Sequence, residues 1–194
     1  MTPTPKHEST ESASWIEPDS AIKHLPSHLR LWFFAVAGLT LDLGSKSWAF
    51  ANLNHAERRT IIDKWLSLTL SYNTGALFGI GKGFKIVFVL ASIAAFGFVL
   101  YLFSQYARSR RSLHCALGMI MAGALGNVYD RLHYGKVRDF IKIDAAVGSF
   151  ELWPWVFNVA DVLLVVGVGL LLINFWFDRR AYLAAHAETP EQSS

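Results

Sequence analysis

The chain has 194 residues, 53% of them hydrophobic and 17% charged, with a mean hydropathy of +0.31. This balance excludes a disordered chain and an ordinary water-soluble domain. At about 20 residues per crossing the length allows one bundle of a few membrane helices and no separate soluble enzyme domain. The single cysteine, Cys115, excludes an intramolecular disulfide framework and a cysteine-rich metal or iron–sulfur site, and the net charge of +3 comes from basic residues flanking apolar segments, which argues against a nucleic-acid partner.

Residues 1–28 are rich in Ser, Thr, Pro, Glu and His and read as a disordered polar tail. His24 and His28 have helical metal-ligand spacing, but Pro26 between them disfavours a helix, so no metal site is read there or elsewhere. Four apolar segments follow, at about 29–50, 86–103, 113–131 and 156–177, and they predict four transmembrane helices within residues 29–180, ahead of a polar tail at 181–194. Four crossings put both termini on one side. Arg108, Arg110 and Arg111 in a very short connection, with Arg179 and Arg180 abutting the last segment, assign that side to the cytoplasm. Residues 31–41 followed by Ala49-Phe50-Ala51 also imitate a cleavable leader. Against that stand the long polar stretch ahead of them and the charges of Asp42 and Lys46 just before the supposed cut.

The connection at 52–85 is too long for a simple turn. Leu66, Leu68, Leu70 and Tyr72 alternate with Ser67, Thr69 and Ser71, the pattern of a half-buried strand. It runs into the turn signal Asn73-Thr74-Gly75 and a short apolar piece at 76–80, so a small hairpin or sheet is expected on the outer membrane surface. The fold class is therefore an all-α membrane protein, a four-transmembrane-helix bundle with a small extracytoplasmic β element.

A charge within the hydrocarbon costs about 2.5 to 3.5 kcal/mol at a helix centre, so each one needs a partner or a function. Asp42 and Lys46 are four apart, Asn127 is three from Asp130 and four from Arg131, and Asn158 is three from Asp161, so each set shares a helix face. Under the four-crossing topology all lie toward the outer side, and the connection at 132–155 adds Asp139. A polar pocket near the outer interface follows. Asp42 with Lys46 reads equally as an ion pair fastening the bundle or as a group near substrate. Asp130 and Arg131 read as a helix-end pair, and Asn158 as a cap or an interhelical bond. Asp161, with no basic residue at helical spacing, reads as functional.

No Ser-His-Asp or Cys-His set is visible, and a pair of carboxylates remains. Two carboxyl groups held close in a low dielectric keep one proton between them, which suits hydrolysis of an amide by activated water without a metal or cofactor. A transporter or proton channel also uses intramembrane acids, but it needs polar groups through the full membrane depth.

Five motifs stand in order along residues 30–180: Asp42-x-x-x-Lys46; Asn73-Thr74-Gly75-Ala76-Leu77-Phe78; Gly123-Ala124-Leu125-Gly126-Asn127-Val128-Tyr129-Asp130-Arg131; Gly135-x-Val137-x-Asp139-Phe140-Ile141; and Phe157-Asn158-Val159-Ala160-Asp161. In them the chain resembles the lipoprotein signal peptidases (signal peptidase II), bacterial integral membrane aspartyl proteases. The resemblance implies a catalytic dyad of Asp139 and Asp161. It further implies substrate-binding or supporting roles for Asp42, Lys46, Asn73, Gly75, Asn127, Arg131 and Asn158. The implied substrates are diacylglyceryl prolipoproteins, cut before the lipidated cysteine; the implied setting is the cytoplasmic membrane, among membrane lipids, as a monomer open to globomycin-type inhibitors. Two departures from the family pattern are Arg138 beside Asp139, where a cation would favour the ionised carboxylate if it faced it, and one extra residue in Trp153-Pro154-Trp155-Val156-Phe157.

Overall fold

The structure, a computed structural model, describes residues 20–55, 57–75, 85–106 and 108–187. Four long helices, α1 (Leu25–Asn52), α2 (Lys85–Gln105), α3 (Arg111–Tyr134) and α4 (Val159–Ala187), carry the four apolar segments. By length and composition α2, α3 and α4 suffice to cross a membrane, with mean hydropathies of 2.6, 1.2 and 2.2. At 28 residues, or about 42 Å, α1 is long enough as well, but Asp42 and Lys46 on its buried face make it less apolar.

The ends of the helices depart from expectation for local reasons. Helix α1 starts at Leu25, inside the stretch read as a disordered tail, because Pro26 falls in its first turn, where no N–H is needed for an intrahelical bond. Ahead of it a 3-10 turn at Ala21–Lys23 packs on the end of α2: Ser20 Oγ donates to the Ser104 carbonyl at 3.2 Å and the Ala21 N–H to the Tyr106 carbonyl at 3.1 Å. His24 and His28 are engaged locally, with Ser27 Oγ at 2.9 Å and the Ile22 carbonyl at 2.7 Å. At the other end of the chain α4 continues past residue 180 to Ala187.

Helix α3 is the central element. It runs parallel to α1, so that Gly118 faces Leu31, Ala122 faces Gly38 and Gly126 faces Asp42, and antiparallel to α4, so that Gly123 faces Ala160 and Ile120 faces Gly167. Small residues permit these approaches, as membrane helix packing requires where no hydrophobic force separates helix from lipid. A Cβ on Gly123 would lie 2.5 Å from the Ala160 carbonyl, and one on Gly126 would run into the Asp42 carboxylate. The helix ends at Gly135, whose φ of 75° supplies the left-handed cap.

Of the hairpin or sheet expected, the β portion is the sheet rather than a lone hairpin, and it is larger than the sequence suggests. A four-stranded antiparallel sheet has the order β1 (Arg59–Ile62), β2 (Leu66–Asn73), β3 (Val137–Ile143), β6 (Val156–Phe157), beside a small β4–β5 pair (Ala146–Val147, Phe150–Glu151). The expected strand at 66–72 is present, but its partners are β1 and β3. The apolar piece at 76–80, expected to complete a hairpin, lies outside the described residues.

The alternation read along β2 is also interrupted. Leu68 pairs with Ile141 but Ser71 with Asp139, so β2 advances three residues while β3 advances two. The extra residue is a β-bulge. It sends Leu70 to the opposite face, where it joins Ala49 and Phe140 in a small core against α1, and it delivers Ser71 and Asn73 to the face of Asp139.

Candidate active site

The site forms where α1, α3, α4 and the sheet meet, and its centre is the first turn of α4. Asn158 is the N-cap: its Oδ1 accepts from the Asp161 N–H at 3.1 Å, while Asp161 Oδ2 accepts from the Asn158 N–H at 3.2 Å. This reciprocal pair is a capping box, with aspartate in the position usually held by glutamate or glutamine. The next free N–H of the helix, that of Ala160, is met from another helix by Asp42 Oδ1 at 2.9 Å. Asp161 is thus fixed by the way its own helix begins, and α1 clamps that beginning to the bundle. Both readings of Asn158 hold, because its Nδ2 also donates to Asn127 Oδ1 at 3.2 Å on α3.

The same Asn158 Nδ2 donates to Asp139 Oδ1 at 2.6 Å. The two acids, 22 positions apart in sequence, therefore hang from one residue. Asp139 is 2% exposed. Burial first, and the charge of Asp161 second, push its carboxyl up to about 7, against hydrogen bonds from Asn158 and Asn73 and the charge of Lys46. A carboxyl group poised there both gives and takes a proton near neutrality.

Around the acids lies a network of directed bonds. Lys46 Nζ, fully buried, donates to Asp42 Oδ2 at 2.8 Å and to Asn127 Oδ1 at 3.1 Å, and lies 3.4 Å from Asp130 Oδ2. Asn127 Nδ2 donates to Asp161 Oδ1 at 2.8 Å. Asp42 with Lys46 is thus a bundle fastener, as one of the two readings of that pair has it, and it also stands beside the acids. Asn73 and Gly75 sit at the rim. Asn73 Oδ1 accepts from the Gly75 N–H at 2.8 Å, an Asx-turn, and Arg131 pins that turn by donating to the Gly75 carbonyl at 2.7 Å. Arg131 also donates to the Asn127 carbonyl at 3.2 Å and lies over the Phe88 ring.

Asp130 and Arg131 are not a solvated helix-end pair. Asp130 is wholly buried and Arg131 is 8% exposed, and each has separate partners. Asp130 is bound to Arg138, which donates from Nε and Nη2 to Oδ1 at 3.1 and 2.8 Å and from its backbone N–H to Oδ2 at 2.9 Å. Strand alternation turns Arg138 away from Asp139, toward Asp130 and the Tyr134 ring. The extra residue before Phe157 is absorbed ahead of β6, where Phe157 still pairs with Ile141 and leaves Asn158 free to cap α4.

Two clefts open from Asp161 and Asn73. One, of about 220 Å³, runs between α4 and the loop, lined by Trp153, Trp155, Phe157, Val162 and Val165. The other, of about 230 Å³, lies between α2, α3 and α4, lined by Phe88, Ala91, Ala95, Ala124 and Leu164. Neither the two tryptophans nor the Asp130–Arg138 pair was singled out for the site from sequence. The cue for Arg138 was its place one residue from Asp139 on a strand, which puts it on the opposite face.

Among known proteins, the family model described as "Signal peptidase (SPase) II" matches residues 34–177. The chain is 41% identical over 120 residues to a lipoprotein signal peptidase of Desulfitobacterium hafniense, covering 62% of this chain and 75% of that one. It is 36% identical over 138 residues to one of Clostridium novyi, with 71% and 91% covered. A solved bacterial membrane enzyme superposes with a TM-score of 0.70 at 26% identity, over 84% of this chain and 94% of that one.

Proposed function

Because the chain belongs to the signal peptidase II family, aspartic peptidases that remove signal peptides from prolipoproteins, we propose that Asp139 and Asp161 are its catalytic dyad and that its substrates are diacylglyceryl-modified prolipoproteins cut just before the lipidated cysteine. The observation that carries this reading is Asn158, which donates to Asp139 and caps the helix that bears Asp161.

The dyad shares one proton, and Asp139, with a carboxyl pushed up to about 7, carries it in the reactive form. Asp161 takes a proton from water as the water oxygen bonds to the scissile carbonyl carbon, and Asp139 gives its proton to the carbonyl oxygen. Collapse of the tetrahedral adduct breaks the C–N bond. The amine leaves with a proton returned from the dyad, and the other product is the signal peptide's carboxylic acid. Lys46, Asn127 and Asn158 orient the acids, while Arg131 and the Asn73–Gly75 turn hold the rim against the substrate.

The protein sits as a monomer in the bacterial cytoplasmic membrane with four crossings, both termini in the cytoplasm and the dyad at the outer interface. The two clefts meet at Asp161 and are largely apolar, which suits a substrate that arrives through the lipid with a signal helix and acyl chains. The test is cleavage of a lipid-modified precursor by the purified protein. Asp139→Asn and Asp161→Asn each lower the rate by about 10³-fold or more while the protein still inserts and purifies, and globomycin blocks the wild type. Full activity in either variant would refute the dyad.

A further inference from the structure

The side chain of Arg138 sits 6% exposed on the far face of β3 from Asp139, and its partner Asp130 is completely buried. An arginine placed there could be simple ballast for a buried carboxylate, but the bonds beyond Asp130 give it a route to the acids. Lys46 has three protons and three acceptors around it: Asp42 at 2.8 Å, Asn127 at 3.1 Å and Asp130 at 3.4 Å. The contact with Asp130 is the longest of the three, because Arg138 already supplies that carboxylate with three donors.

Asn127 Oδ1 takes the bond from Lys46 and a second from Asn158 Nδ2. With its oxygen committed to two donors, the amide can present only its NH2 to Asp161, as it does at 2.8 Å. Reversing it would set the NH2 of Asn127 against an ammonium and another NH2, leaving buried donors facing one another. The orientation of the donor on Asp161 therefore depends on Lys46 staying with Asn127.

The geometry points to Arg138 as a positioning residue: by saturating Asp130 it keeps Lys46 on Asn127 and so fixes the amide that donates to Asp161. Arg138 acts through Asp130, Lys46 and Asn127 and touches neither dyad member. This inference rests on the peptidase reading above. Removing the guanidinium leaves Asp130 a buried anion short of donors, and Lys46 is the nearest cation to answer it. Drawn toward Asp130, Lys46 releases the Asn127 oxygen, and the bond to Asp161 loses its fixed polarity. The charged groups facing the dyad are Lys46 from α1 and Arg131 from α3, with Asp42, Asp130 and Arg138 behind them.

The experiment compares Arg138→Met, Arg138→Lys and the double variant Asp130→Asn/Arg138→Met in the purified full-length protein. It reads kcat, KM, the pH dependence of kcat and the thermal midpoint in detergent. Arg138→Met lowers kcat about 10-fold with KM within about 2-fold, and moves the acid limb of the kcat profile to higher pH, because ionising the dyad loses a donor. Arg138→Lys recovers most of the rate through a single charged donor. The double variant recovers it too, because a neutral amide in place of the Asp130 carboxylate no longer draws Lys46 away. In Asp-13C-labelled protein without substrate, the dyad's carboxyl titration shifts in the same direction in Arg138→Met and returns in the double variant, so the relay is read even if the protein cuts no lipidated precursor. Two results overturn it: a wild-type titration and profile in Arg138→Met, or a double variant as impaired as the single with a matching loss of thermal midpoint, which makes Arg138 a packing residue. A wild type that titrates as expected but leaves the precursor intact sinks the peptidase reading instead.

Discussion

Asp139 shows at the scale of one residue how a buried carboxyl is set against the stability of the protein holding it. Its carboxyl is raised from an ordinary value of 3.8 to about 7, chiefly by burial. Below pH 3.8 folded and unfolded chains both carry the proton and the residue costs nothing. As pH rises the unfolded chain ionises first, so stability falls through the interval and the loss is complete above about 7. Asp139→Asn removes that dependence. Its thermal midpoint in detergent exceeds the wild type's by about 5 °C at pH 8 and matches it at pH 4. A variant less stable than wild type at pH 8 would mean that the buried carboxylate is fully compensated by its neighbours. Much of this residue-level arrangement was legible in the sequence: polar side chains at spacings of three and four on apolar segments identified Asp42, Lys46, Asn127, Asn158 and Asp161. The capping box was half legible, since Asn158 and Asp161 have its spacing, but the bond from Asn158 to Asp139 needs the sheet to be in place. Arg138 was read as a charge beside an acid, and only the side of the strand it occupies shows that it belongs to Asp130.

Among the elements, the helices were readable to within a few residues, except that α4 runs ten residues past the expected 177 to Ala187, because an uninterrupted apolar run leaves little else to form in a bilayer. The ends were misread where capping overrode hydropathy: Pro26 opens a helix it was expected to prevent, and Val156 and Phe157 go to a strand so that Asn158 can cap α4. The sheet was the least legible part. Its central pairing joins segments separated by all of α2 and α3, and a bulge in β2 breaks the alternation on which the sequence reading relied. What holds the elements at the distance the site needs is the small-residue face of α3. Gly126→Ala places a methyl group against the Asp42 carboxylate and 3.4 Å from the Ala160 Cβ, where it displaces the acceptor that clamps α4. Cleavage is expected to fall at least about 10-fold with a lower thermal midpoint. Gly44→Ala, on the same bundle with nothing within 4 Å of the added Cβ, leaves both unchanged. Equal behaviour of the two variants would detach the α1–α3 approach from the site.

The two ends of the described bundle are polar in different ways, and this bears on the proposed orientation in the membrane. At the sheet end the buried charges are satisfied within the protein, and the clefts to Asp161 open between helices. At the other end Arg110 is paired with Asp178, Ser112 Oγ donates to Asn174 Oδ1 at 2.8 Å, and Arg30 reaches the Arg108 carbonyl at 3.4 Å, so α1, the α2–α3 connection and α4 are tied together there by basic residues. Short connections rich in arginine stay in the cytoplasm, because carrying them across the membrane opposes both the potential and their hydration. That rule supports the proposed topology, in which the sheet and the two acids lie on the outer side. With Cys115 replaced by alanine, a cysteine introduced at Ser149, exposed in the β4–β5 turn, is expected to react in intact cells with a membrane-impermeant maleimide. One at Ser109, exposed between α2 and α3, reacts only after the membrane is opened. The reverse pattern would overturn the proposed topology and put Asp139 and Asp161 on the cytoplasmic side.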